Sequence, residues 1–116
     1  VANKSVKTLQ RSSDFKKIKE FGKKRQGSPW LTLIFISNDG LGLRFGMTVT
    51  RKVGPAVVRN KVRRWCREFF RLKIKAGASK DIDVNVLIRP MPDEFYKTLS
   101  YQDFKSALEV AFEKID

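Results

Sequence analysis

The residues best able to do chemistry in this chain lie in one stretch. Between Arg44 and Lys75 stand eleven basic residues: Arg44, Arg51, Lys52, Arg59, Lys61, Arg63, Arg64, Arg67, Arg71, Lys73 and Lys75. Glu68 is the only acid among them, whereas the rest of the chain is close to charge balance. If residues 56–76 are helical, Arg59, Asn60, Arg63, Arg64, Arg67 and Arg71 fall within an arc of roughly 140°. Like charges one turn apart repel by a few tenths of a kcal/mol per pair, so such a ridge makes sense when a polyanion neutralises it. Most of the cations are Arg, whose planar fork fits phosphate and stacks on bases. The chemistry indicated is therefore polyanion recognition, with nucleic acid ahead of an acidic membrane surface. Asn60 would bond either a base, ribose or phosphate, or its own helix start.

Other chemistries are poorly supplied. The 116 residues contain no His and one Cys, Cys66, which removes His-based triads, cysteine-cluster zinc sites and an intrachain disulfide. Asp81 and Asp83 share a strand face but read as solvated turn acids rather than a metal pair. No apolar run approaches a membrane span, and the start lacks the apolar stretch of a secretory signal. A reducing, cytoplasmic setting is expected. The formal charge of +13 and a 41% hydrophobic content fit one basic globular domain over residues 1–116.

The elements that would carry the ridge can be read from periodicity. Residues 1–11 are polar and read as a loose or extended basic arm. Ser12, Ser13 and Asp14 offer N-caps for a short helix to Phe21, with Phe15, Ile18 and Phe21 at helical spacing. The apolar run Trp30–Ile36 reads as a strand covered on both faces, and Asn38-Asp39-Gly40 as a turn. Leu43, Phe45, Met47 and Val49 alternate with Arg44, Gly46, Thr48 and Thr50, giving a second strand with one small polar face. Gly54-Pro55 opens the long helix, whose apolar stripe is Val58, Val62, Trp65, Phe69 and Leu72. Gly77 stops it. Ile82–Ile88 alternates as a third strand, and a last helix runs from about Ser100 to Ile115. Trp30 and Trp65 read as core, and Cys66 as a small buried or half-buried hydrophobe. The order is α-β-β-α-β-α, with room for one more strand in the loops.

The stretch from Arg44 to Arg71, RFGMTVTRKVGPAVVRNKVRRWCREFFR, closely resembles the signature of the bacterial ribonuclease P protein subunit. Gly46, Val49, Lys52, Gly54, Ala56, Arg59, Asn60, Arg64, Arg67 and Glu68 match it in order. Thr48 and Thr50 replace serines. DFKKIKEFG (14–22) resembles the family's first helix and IDVNVLIRP (82–90) its last strand, so the likeness spans nearly the whole chain. Lys61 stands where the family usually has an Arg, Lys19 where a second aromatic is common, and Pro55 is unusual between Gly54 and Ala56.

The resemblance implies an α+β fold, a two-layer α/β sandwich of order α-β-β-(β)-α-β-α with a left-handed βαβ crossover. It implies a protein subunit that binds ribonuclease P RNA and the 5′ leader of precursor tRNA. The active site and the Mg²⁺ would reside mainly on RNA, the Mg²⁺ requirement would be lowered by the protein, and the protein alone would be inactive. RNA-binding residues on this reading are Arg51, Lys52, Arg59, Asn60, Lys61, Arg63, Arg64, Arg67 and Arg71. The leader cleft would hold Phe15, Arg44, Thr48 and Thr50, with Phe15 either stacking a base or packing between helix and sheet. The competing readings are a stand-alone structural or ribosomal RNA-binding protein and, less well supported, a DNA-binding domain. The latter lacks the paired helices of a helix-turn-helix.

Overall fold

Ile82–Ile88 (β4) is the strand around which the molecule is built. It alternates Ile82, Val84, Val86 and Ile88 toward one face and is buried almost throughout. In the computed structural model, which describes residues 8–9, 11–77 and 80–115, it lies inside a four-stranded sheet. Lys23–Ser28 (β1) pairs antiparallel with Leu31–Ser37 (β2), β2 pairs antiparallel with β4, and Arg44–Val49 (β3) pairs parallel with β4. The spatial order is β1-β2-β4-β3. Parallel neighbours need a long connection, which here contains a 3-10 turn at Arg51–Val53 and the twenty-residue helix Ala56–Lys75 (α2).

The helices divide between the two sheet faces. On one face α2 and Tyr101–Glu113 (α4) cover the main core. Phe45 stacks on Phe70 at 4.6 Å, and Trp30 on Phe104 at 5.8 Å. On the other face Ser12–Phe21 (α1) closes a smaller cluster of Leu9, Ile18 and Ile34, with Phe15, Ile36 and Leu87 beside it. The mixed α+β architecture and the element order therefore agree with expectation. The additional strand is β1, which precedes the two read from periodicity. A short helix, Phe95–Thr98 (α3), was not expected.

Several local expectations are corrected. α1 begins at Ser12, with Arg11 at its N-cap and no side-chain cap, so Ser13 and Asp14 sit inside the first turn. Asp14 there still favours the positive end of the helix dipole. Of the three apolar residues spaced on α1, only Ile18 is buried, and Phe21 is 67% exposed. On α2 the buried residues are Val58, Val62, Cys66, Phe69 and Phe70, while Leu72 is 45% exposed and Trp65 half-buried. The buried stripe is thus rotated by roughly 50° toward the arginine arc. Thr50 lies beyond the end of β3, and Ser100 caps α4 by accepting from the Asp103 N–H. Most of the arm expected over 1–11 falls outside the described residues. Within it, Thr8 bridges to Phe45 in parallel and the buried Leu9 donates its N–H to the Phe45 carbonyl at 2.7 Å.

Candidate nucleic-acid interface

Rotation of α2 sorts its arginines into two groups. Arg59 and Arg63 lie nearest the buried stripe and are half-buried. Arg59 donates through Nε to the Gly54 carbonyl at 3.1 Å, and Arg63 donates to the Val49 carbonyl at 3.3 Å and to Asn60 Oδ1 at 3.4 Å. These bonds hold the guanidinium groups against the 3-10 turn and the end of β3, leaving their charge uncompensated. Asn60 is itself exposed. Arg64, Arg67 and Arg71 stand further round the arc and are exposed. Arg71 forks onto Glu68 through Nε at 2.9 Å and through a second, very short bond. Arg51 and Lys52 lie exposed on the 3-10 turn. Among the described residues, no carboxylate pairs with Arg51, Lys52, Arg59, Arg63, Arg64 or Arg67.

Lys61 does not join this arc. Its ammonium donates to the Tyr96 carbonyl at 2.8 Å and the Lys97 carbonyl at 3.3 Å, and lies 4.9 Å from the centre of the Trp65 ring. It faces the last turn of α3, where a cation satisfies carbonyls left without helical partners. Its position two residues beyond Arg59 rotates it roughly 200° round the helix.

The second sheet face carries the other candidates. Arg44, Gly46 and Thr48 of β3 align with Asp83, Asn85 and Leu87 of β4. Asp83 is buried, not a solvated turn acid. Arg44 forks onto it with bonds of 2.7 Å from Nε and Nη2, and Asn38 adds a third at 2.9 Å. Burial pushes the Asp83 carboxyl up, but the Arg44 and Asn38 hydrogen bonds and the Arg44 charge outweigh it. The group is held below the usual carboxylate range. Arg44 is therefore an internally compensated cation. Thr48 accepts from Asn85 Nδ2 at 3.0 Å. Phe15 of α1 sits over Gly46 so closely that a β-carbon there would collide with its ring. The half-buried Phe15 ring, Thr48 and the Thr32 and Lys24 positions beyond it thus line one side of the sheet next to α1.

A groove between α2 and α4 was not legible from either helix alone. Trp65, Tyr101 and Leu72 line it together with Arg64, Arg67 and Lys105. Tyr101 and Lys105 one turn apart on α4 were the available signal, but only the packing of α4 against α2 brings them beside the arginines. Cys66 is fully buried, as expected, and burial pushes its thiol well above the ordinary range. No helix among the described residues is long and apolar enough to cross a membrane.

Comparison with known proteins follows the same lines. The family model described as Ribonuclease P matches residues 4–116. The ribonuclease P protein component of Desulforamulus reducens is 36% identical over 101 residues, covering 87% of this chain and 81% of that protein. The one from Dictyoglomus turgidum is 34% identical over 110 residues, covering 91% and 86%. Among solved structures, the RNase P protein of Thermotoga maritima superposes with a TM-score of 0.82 at 30% identity, covering 95% of this chain and 98% of that one.

Proposed function

This chain belongs to the ribonuclease P protein family, and from that premise we propose that it binds the catalytic RNA subunit and the 5′ leader of precursor tRNA, assisting removal of the leader in the cytoplasm. The observation that carries this reading is the α2 ridge. Arg51, Lys52, Arg59, Arg63, Arg64 and Arg67, on α2 and the turn before it, have no carboxylate partner among the described residues, and Arg59 and Arg63 are pre-oriented by bonds to backbone carbonyls. Guanidinium groups fixed in this way lose little side-chain entropy when they meet phosphates. The ridge would grip folded RNA. The opposite sheet face, with Phe15 beside Thr48, would receive a single strand, the ring stacking a base and the small side chains letting the backbone approach.

The chain's own donors, among the described residues, form no all-protein cage for a resident Mg²⁺. Among the described residues, no group of three or more acidic or thiol side chains converges, and Asp83 is already committed to Arg44. Mg²⁺ favours octahedral oxygen ligands and retained waters. On this proposal the metal belongs to the RNA and substrate, and the protein lowers the amount required by supplying positive charge and binding energy. The test is reconstitution. The protein alone should leave precursor tRNA intact at any Mg²⁺ concentration, and its addition to the cognate RNA at low Mg²⁺ should give 5′ processing. Failure to stimulate that RNA would remove the proposal.

A further inference from the structure

The groove between α2 and α4 lies at the far side of the ridge from β3, and its composition differs from that of a phosphate-binding surface. Trp65 and Tyr101 present half-buried rings, 5.6 Å apart and inclined at 57°. Leu72 beside them is 45% exposed, on a helix that buries Val58, Val62, Cys66, Phe69 and Phe70. Around this apolar patch stand Arg64, Arg67 and Lys105, none of them in an ion pair among the described residues. Lys61, one turn before Trp65 on α2, places a further positive charge at the indole. An exposed apolar patch framed mostly by positive charge is a binding surface suited to an amphipathic anion.

We infer that this groove takes an unstacked nucleotide of a bound RNA, its base on Trp65, Tyr101 and Leu72 and its phosphates on Arg64, Arg67 and Lys105. A nucleotide joins an aromatic face to a negative charge at a separation of a few ångströms, and the groove offers the complementary pair of surfaces. Glu68 lines the same groove with Arg71 on its Oε2, and its other oxygen can accept from an exocyclic amino group. Duplex RNA, whose bases are stacked inward, offers phosphates to the arginines but nothing to the rings. The inference rests on the RNA-binding reading above and adds to it a base-dependent contact at the α4 side of α2.

Trp65 makes the site self-reporting, because the only other tryptophan, Trp30, is buried in the main core. The test titrates the full chain with a short single-stranded oligoribonucleotide and with an abasic strand carrying the same number of phosphates, reading tryptophan emission and affinity. The base-containing strand should quench the emission and bind about tenfold more tightly than the abasic one. Trp65→Phe should abolish the quench. Leu72→Glu, at an exposed position where folding is preserved, should remove the base-dependent gain in affinity, as should Tyr101→Ala. Three results would overturn the inference: emission unchanged by the base-containing strand, a base-dependent gain that survives both substitutions, or equal quenching by a polyglutamate peptide. The parent reading is judged separately, by whether the unmodified protein activates the RNA at low Mg²⁺.

Discussion

Arg44 on β3 and Asp83 on β4 form a two-pronged ion pair, with both bonds at 2.7 Å, across the parallel strands joined by α2. Asp83 is buried while Arg44 remains partly exposed, so the pair is unevenly sheltered. Truncating Arg44 would leave a buried carboxylate without its main partner. Arg44→Ala is expected to cost about 3 kcal/mol, at the low end for a broken buried pair because water reaches the arginine. Urea unfolding at neutral pH measures it. A loss below about 1 kcal/mol would show that Asn38 and water suffice.

The same pair sets an acid dependence. The Asp83 pKa is depressed in the folded protein, so its stabilising contribution is complete above the unfolded value of about 3.9 and fades as pH falls below it, through the folded value. Asp83→Asn should therefore be less stable than the parent at pH 7, with the difference shrinking below about pH 4. A difference that stayed constant across that range would mean that shape, not charge, holds the strands together.

The two groups of arginines on α2 should behave differently. Arg64→Ala and Arg67→Ala should leave the melting temperature unchanged and reduce the salt dependence of RNA binding by roughly 0.7–0.9 per lost phosphate contact. Arg59→Ala and Arg63→Ala should show that reduction together with a stability loss of about 1 kcal/mol, because each releases a backbone carbonyl. Lys61→Met belongs to neither group: it should weaken the fold through α3 and leave the salt slope alone. A slope unaffected by Arg64→Ala and Arg67→Ala would turn those side chains toward water.

Burial separates the residues of the apolar stripe on α2. Phe69→Ala removes a ring packed edge-on against Phe70 and Phe112 and should cost about 3–5 kcal/mol. Leu72→Ala, at an exposed position, should stay within about 0.5 kcal/mol. Comparable losses would place Leu72 in the core.

Gly46 permits the seating of α1. Gly46→Ala sets a methyl against the Phe15 ring and should cost about 1–3 kcal/mol as the helix shifts. On the proposed function, crosslinking to the leader should weaken while affinity for the RNA subunit holds. Unchanged leader crosslinks would separate Phe15 from the single-strand path.

Much of this was readable in the sequence because it depends on local periodicity. The alternation over 82–88 gives β4 to the residue, and the 3–4 spacing over 58–69 gives α2. β1 was invisible because Lys23-Lys24-Arg25-Gln26 has neither alternation nor β-branched residues. It is a strand because β2 supplies its hydrogen bonds and because Gly27 lets the Ala107 backbone of α4 close over it. The rotation of the α2 stripe escaped because Cys66 and Phe70 interrupt a tidy heptad-like pattern, and Phe70 turns inward to meet the distant rings of Phe45 and Phe112. Asp83 looked like a surface acid because its partners, Arg44 and Asn38, are 39 and 45 residues away.

The bond from Leu9 to Phe45 has a consequence for self-association. A flat sheet border with bare amide groups invites a second copy to zip on as another strand. Here the outer border of β3 is partly occupied by the chain's own early residues, and the opposite border, β1, carries lysines that repel a like neighbour. Many copies crowded along one polynucleotide would thus meet through their charges rather than through their backbones.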